Sequence, residues 1–386
     1  MESPTMTLEH DFVVHTGAAG VVADGRDDLT VIVGPEGTTS ALMMTRSRTA
    51  GPCVALSRQA RVGGVRGVVV LARNANVATG EQGYRDAVEV RDTVAAAVGA
   101  APDELVVCST GVIGRRYPME AIRSHLARLT WPSDGTLADA AAAIMTTDTR
   151  PKLRVAAADG FQVVGIAKGV GMIEPDMATM LSFVVTDARV GQDDLDAVWR
   201  RVVERTYNSV SIDTDTSTSD TALLLASGSA GEVDVEALEA ALLEVCTGLV
   251  RDIASDGEGA STLITCTVSG ASSPAQARTV GKAVVNSPLV KTMVHGADPN
   301  WGRVVMAVGK CVDEPDITTE ALTVSFGGQE VFPAEAGDAV LHAVEEHLRG
   351  DEVRIGVGLG LGAHAWTVYG CDLTEGYVRT NADYTT

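Results

Sequence analysis

A mixed α/β protein built of layered sheets and helices is what this sequence predicts. Short runs of β-branched residues read as buried strands, and longer segments with apolar residues every three or four positions read as amphipathic helices. Glycine- and proline-bearing turns separate the two kinds of segment, which alternate along the chain. The 386 residues hold enough material for about two or three domains' worth of core. No linker divides them, and the apolar fraction of 45% is that of a soluble globular protein.

In chain order, Phe12 to Val33 reads as strand, turn and strand, with Asp24-Gly25-Arg26-Asp27-Asp28 as the turn. Arg66 to Leu71 is a buried strand that delivers the Asn74-to-Gly80 loop. The next helix carries Val90, Val94 and Val98 at four-residue spacing and stops at Gly99, a C-terminal cap. Leu105 to Cys108 is again a strand, ending in Ser109-Thr110-Gly111-Val112-Ile113-Gly114, and beyond Pro118 a helix places Ile122, Leu126 and Leu129 on one face. Thr110-Gly111 reads in two ways. It is an ordinary strand-to-helix turn, or it is an oxyanion hole, where glycine lets a backbone N–H approach a tetrahedral intermediate and the neighbouring hydroxyl supplies a second donor.

Ala138 to Met145 is an alanine-rich helix running into Thr146-Thr147-Asp148-Thr149-Arg150, and Val155 to Ala167 is a hairpin around Asp159-Gly160. Farther on, Leu195, Val198 and Val202 mark one helix, and Leu238, Leu242, Val245, Leu249 and Ile253 mark a longer one. The polar run from Asn208 to Thr221 lies between them. Its Asp213, Asp215 and Asp220 invite a metal reading, but the run lacks the glycine and terminal glutamate of a calcium loop, so a hydrogen-bonded loop is preferred. A further helix starts near Trp301. Gly356, Gly358, Gly360 and Gly362 have the wrong spacing for a dinucleotide fingerprint and read as a strand crossed closely by another backbone. His295 reads as structural.

A net charge of -21 disfavours nucleic acid or an anionic membrane as partner, since either needs a basic face. The first eleven residues have no basic head and no apolar run, and no stretch is long enough to span a bilayer, so a cytoplasmic location is expected. Six cysteines without paired spacing argue against a disulfide framework or a zinc ribbon.

The centre of the chain carries the chemistry. Lys168-Gly169-Val170-Gly171-Met172-Ile173-Glu174-Pro175-Asp176-Met177-Ala178-Thr179 reads as a loop, and Met180 to Thr186 as the buried strand it enters. A small residue followed by threonine, where a strained loop meets a rigid strand, suits a self-cleaving threonine enzyme. The Thr179 hydroxyl attacks the carbonyl of Ala178, the acyl group shifts from nitrogen to oxygen, and Thr179 becomes a new N-terminus whose amine acts as base. An Ala-Thr pair is also a common strand start.

The wording of this segment resembles the central motif of the ornithine acetyltransferase family (glutamate N-acetyltransferase). The resemblance continues through Asn74 to Gly80, Ser109 to Gly114, Met145 to Thr149 and Gly370 to Val378, in order and over nearly the whole chain. Asn286 to Lys291 and Gly296 to Arg303 match as well and are assigned to packing. Glu174-Pro175-Asp176 stands where the typical arginine-pathway member has Ala-Pro-Asn and looks like the branch found in clavam and clavulanic acid gene clusters.

This resemblance implies the sheet-and-helix sandwich shared with self-cleaving aminopeptidases. It implies cleavage between Ala178 and Thr179 into an α fragment, 1–178, and a β fragment, 179–386, that assemble as α2β2. Thr179 would be the nucleophile, with Thr110 and Gly111 as the oxyanion hole. Substrate contacts would fall to Thr146 or its neighbour Thr147, and to Lys168, Thr179, Glu258, Asn381 and the terminal Thr386. The implied reaction passes acetyl from N2-acetyl-L-ornithine to L-glutamate by a ping-pong route, without metal or organic cofactor. Two rivals remain: a self-cleaving threonine aminopeptidase or amidohydrolase that passes the acyl group to water, and an uncleaved amino-acid-binding protein. A Ser/His/Asp order and a nucleotide loop are both missing, which weakens the usual acyltransferase and coenzyme A alternatives.

Overall fold

The computed structural model describes residues 11–158, 160–174, 180–333 and 336–383. In chain order the elements are β1 (Val13–Gly17), β2 (Leu29–Val33), β3 (Thr39–Met44), α1 (Pro52–Ser57), β4 (Gly67–Leu71), α2 (Gly80–Val98), β5 (Leu105–Ser109), α3 (Met119–Leu126), α4 (Leu137–Ala143), β6 (Lys152–Ala158) and β7 (Phe161–Lys168). There follow β8 (Leu181–Arg189), α5 (Gln192–Arg205), β9 (Thr221–Glu232), α6 (Val235–Ser255), β10 (Leu263–Ala271), α7 (Pro274–Val285), α8 (Pro288–His295), α9 (Trp301–Val308), β11 (Thr323–Phe326), β12 (Gln329–Phe332), α10 (Asp338–Leu348), β13 (Glu352–Gly358), β14 (His364–Cys371) and α11 (Glu375–Asp383).

The strands form three sheets, in the orders β1-β2-β4-β5, β3-β9-β8-β7-β6 and β12-β11-β13-β10-β14. β2, β4 and β5 are buried at every residue. Continuous apolar runs of this kind mean that both faces of the sheet are covered. One face, with Val31, Val69, Leu71 and Val107, packs on Leu56 of α1, Val90 and Val94 of α2 and Ile122 of α3. The other face, with Ile32, Val68, Val70 and Val106, meets Ile166, Leu181, Phe183 and Leu223 of the second sheet. The far side of that second sheet, with Val163, Val184 and Leu224, is covered by Val198 and Val202 of α5 and by Leu242, Val245 and Leu249 of α6. Helices, sheet, sheet and helices therefore stack as four layers, the layered α/β arrangement that the sequence predicts. The third sheet builds its own core with α7, α8, α9 and α10. Among the described residues no helix is long and apolar enough to cross a membrane.

Most sequence-based elements fall in place, and the departures have local causes. Gly99 does end α2, in the left-handed region at φ 68°. α3 stops at Leu126, so Leu129 lies beyond the helix rather than on its face. α4 runs one residue earlier and ends earlier than expected, because the Thr136 hydroxyl caps the Asp139 N–H and starts it there. The glycine-rich strand ends at Gly358. Gly356 and Gly358 meet first the Ser325 and Thr323 side chains of β11, whereas Gly360 and Gly362, past the strand, lie against another backbone, where a Cβ would stand 3.2 Å from the Ala321 carbonyl oxygen and 2.5 Å from the Ala271 carbonyl oxygen.

Helix α6 lies so close to β7 that a Cβ at Gly165 would stand 2.6 Å from Val245 Cγ1 and 2.9 Å from Leu249 Cδ1. Gly165→Val should overpack this layer and destabilise the protein by about 1–3 kcal/mol. Chemical denaturation of the variant checks this, and an unchanged midpoint would contradict the packing described.

Candidate active site

Loops at the ends of strands of the first two sheets form a cleft with segments after α4 and α6 and with α11. β5 delivers Thr110 and Gly111, and β7 delivers Lys168. The end of α4 leads to Thr146 and Thr147, the end of α6 leads to Glu258, and α11 carries Tyr377 and Asn381. All of these line the same cleft as Arg73, Met180, Leu181, Asp213 and Asp220.

At the β5 corner the Thr110 N–H donates to the Leu71 carbonyl at 3.1 Å, so the turn is tied to the end of β4. Gly111 has φ 121°, and a Cβ there would lie 2.7 Å from the Arg73 carbonyl oxygen. Only glycine satisfies both the backbone angle and the space. Lys168 Nζ donates to Thr110 Oγ1 at 3.0 Å. Burial pushes the Lys168 ammonium below its ordinary value, against the charge of Asp148.

Beneath the cleft lies a buried ion triad that motif reading did not single out. Lys152 Nζ stands 2.7 Å from Asp148 Oδ1 and 2.7 Å from Asp256 Oδ2. Each carboxylate has a second task. Asp148 accepts the N–H of Gly169 at 2.8 Å and of Thr146 at 3.0 Å, while Asp256 accepts the N–H and the hydroxyl of Thr149. The 146–149 loop, the start of β6, the exit from β7 and the end of α6 are thus fastened together. Burial would raise the Asp148 carboxyl, but the Lys168 and Lys152 charges and the Gly169 N–H hold it below its ordinary value.

Two residues past Asp256, the Glu258 carboxylate is held from both sides of the cleft. Thr147 Oγ1 donates to Oε1 at 2.9 Å, and Asn381 Nδ2 donates to Oε2 at 2.9 Å. Gly171 leaves room for it, since a Cβ there would sit 2.6 Å from the Glu258 carboxyl carbon. The Thr374 hydroxyl donates to the Gly259 carbonyl and draws α11 onto this turn.

The polar run before β9 is a hydrogen-bonded loop. Asp213 accepts the N–H groups of Met172 at 2.6 Å and Ile173 at 2.7 Å. Ile212 N–H donates to the Ile173 carbonyl at 2.8 Å, and Glu174 N–H donates to the Asp215 carbonyl at 3.0 Å. The Glu174 carboxylate in turn accepts from Lys282 Nζ at 2.8 Å and Asn286 Nδ2 at 3.0 Å, both on the α7 side. Residues 172–174, which approach the central Ala-Thr pair, are therefore held by side chains as well as main chain. His295 Nδ1 lies 3.1 Å from Asp372 Oδ2. That carboxylate accepts the N–H groups of Ser261 and Thr262, a structural arrangement. All six cysteines are free, and only Cys311 is not buried.

Seven of the residues singled out from the sequence, Thr110, Gly111, Thr146, Thr147, Lys168, Glu258 and Asn381, thus line one cleft. Ala178, Thr179 and Thr386 lie outside the described residues. Motif reading missed Lys152, whose only sequence signal is its place at the start of a strand, and it assigned Asn286 to packing without seeing its bond to Glu174.

Residues 13–386 match the model of the ArgJ family. The chain belongs to the ArgJ family. Similar ArgJ-family proteins include the glutamate N-acetyltransferase Oat2 of Streptomyces clavuligerus, 58% identical over an alignment of 393 positions that covers all of both chains. The arginine biosynthesis bifunctional protein ArgJ of Rhodococcoides fascians is 56% identical over 98% of this chain and 94% of its own. Among solved structures, the Bacillus halodurans arginine biosynthesis bifunctional protein ArgJ is 35% identical with a TM-score of 0.50, covering 53% of this chain and the whole of that one. The resemblance read from the motifs is thus to the family the chain belongs to.

Removing the triad's cation should be costly. Lys152→Ala takes the direct ion-pair partner from two buried carboxylates, and a loss of about 3–5 kcal/mol is expected in equilibrium unfolding. Wild-type stability at this site should also depend on acid: because the Asp148 carboxyl is held below its ordinary value, its contribution is present above about pH 4 and is lost as the pH falls through the folded-state value. A Lys152→Ala protein with wild-type stability would contradict this.

Proposed function

We propose that this protein moves acetyl from N2-acetyl-L-ornithine to L-glutamate after cutting itself between Ala178 and Thr179. The observation that carries the reading is the convergence of Thr110, Lys168 and Glu258 on one cleft, at the edge where β8 begins two residues after position 179, in a chain of the ArgJ family. Cleavage yields fragments 1–178 and 179–386, which remain associated and pair as α2β2.

The Thr179 amine, with an ordinary pKa of about 7.7 to 8, is partly neutral near pH 7 and accepts the proton of its own hydroxyl. The hydroxyl oxygen attacks the acetyl carbonyl of N-acetylornithine. Negative charge develops on that oxygen and is met by the Thr110 hydroxyl and the Gly111 N–H. Lys168, 3.0 Å from Thr110 Oγ1, orients that hydroxyl and adds positive charge at the oxyanion or at a substrate carboxylate. Ornithine leaves, glutamate enters, and its amine attacks the acetyl ester. Glu258, carried between Thr147 and Asn381, offers a carboxylate to the amino end of either substrate. Thr146 lines the same cleft, and Thr386 is assigned a contact with the substrate. The donor, the threonine and the acceptor supply every atom transferred, so the route calls for no metal or organic cofactor.

Thr179→Ala should give a folded, single-chain, inactive protein by intact-mass measurement and assay. Thr110→Ala should lower the transfer rate about a hundredfold or more, with folding retained. Wild-type protein given N-acetylornithine should form N-acetylglutamate only when glutamate is present. Release of free acetate with no N-acetylglutamate would overturn the transferase reading in favour of a hydrolase.

A further inference from the structure

Asp220 is a buried carboxyl that none of the steps above uses. It is 2% exposed and lines the cleft with Lys168, Thr110 and Met180. Its main chain is fixed, because its carbonyl accepts the Thr45 N–H at 2.9 Å and the next residue, Thr221, donates its N–H to the Met180 carbonyl at 3.0 Å. β8 and β9 run parallel with Leu181 opposite Thr221. Asp220 is therefore placed one step before that pair, beside Met180, the residue that follows Thr179 in the chain. Its Oδ2 is buried and makes no hydrogen bond among the described residues. A buried polar atom without a partner is uncommon and calls for a reason. Burial pushes the Asp220 carboxyl well above its ordinary range, with Ser217, the Lys168 charge and the Met180 N–H acting the other way. That environment favours the neutral acid, which can donate a proton.

We propose that Asp220 is the proton relay of the self-cleavage step, donating to the Thr179 nitrogen as its bond to Ala178 breaks. The inference rests on the reading of Thr179 as the cleavage point. The Thr179 hydroxyl oxygen bonds to the Ala178 carbonyl carbon, the carbon–nitrogen bond breaks, and the Asp220 acid gives its proton to the departing nitrogen. The Asp220 carboxylate then takes the proton lost by the hydroxyl, so the shift consumes none. Water opens the resulting ester. Its oxygen bonds to the carbonyl carbon, the ester carbon–oxygen bond breaks, and the threonine hydroxyl is restored. Ala178 is left as a carboxylate whose proton passes to the new amine. The titratable and charged groups that line the cleft with Asp220 are Lys168 at the end of β7, whose charge acts on it, and Asp213 and Asp215 in the polar loop, Glu258 after α6, Arg73 after β4 and Tyr377 on α11.

The test is the rate of cleavage of full-length chain made in a cell-free system, followed by intact mass across a range of pH. Asp220→Asn keeps the size and polarity of the side chain but cannot relay a proton. It should slow cleavage about a hundredfold or more with the melting temperature retained, and it should flatten the pH dependence. Asp220→Glu keeps an acid and should recover part of the rate, which also decides the matter should the Asn variant melt early. Wild-type rates and pH profiles in these variants, with Thr179→Ala still uncut, would overturn the relay and leave the reading of Thr179 standing. Cleavage of Thr179→Ala would overturn both.

Discussion

Everything at the cleft hangs on one buried cation between two buried carboxylates. Ion triads of this kind are expensive to bury and gain stability only when every remaining lone pair is used. Here they are used on main-chain N–H groups of two separate segments, the 146–149 loop (Thr146 at Asp148, Thr149 at Asp256) and the exit of β7 (Gly169 at Asp148). The result is positional. The threonine loop, the exit of β7 with Lys168 and the α6 end with Glu258 cannot shift independently, because moving any of them uncovers a charge with no water to receive it.

A second set of contacts works on the central segment. The Asp213 carboxylate grips two successive N–H groups, and Glu174 joins the main chain of the polar loop to Lys282 and Asn286 beside the third sheet. The self-cleavage proposed above would need the scissile carbonyl and the attacking hydroxyl near their reacting geometry, and the clamps on residues 172–174 would contribute to that restraint. The α7 face of the third sheet thereby supports the first two sheets, although its core is its own.

Much of this was legible in the residues. Apolar period and turn chemistry located many of the strands and helices, including the cap at Gly99 and the long stripe of α6, but left β3, β9, β10, α1, α7 and α8 unread. Motif wording led to seven residues that line one cleft. What escaped was whatever depends on pairing across long separations. Lys152 and Asp256 are more than a hundred residues apart in sequence, and no local pattern says that they meet. The same holds for Glu174 with Asn286 and for the buried carboxyl of Asp220. Helix α3 shows the other limit, since Leu129 keeps the period of the face while the helix ends before it.

The central claim is that acetyl rides on the threonine at position 179 between donor and acceptor. Mass spectrometry of the protein mixed with N-acetylornithine alone tests it directly. The account predicts a fragment beginning at Thr179 that carries one acetyl group as an ester on that residue, and that loses it when glutamate is added. A protein that forms N-acetylglutamate at full speed while Thr179 never carries acetyl would contradict it.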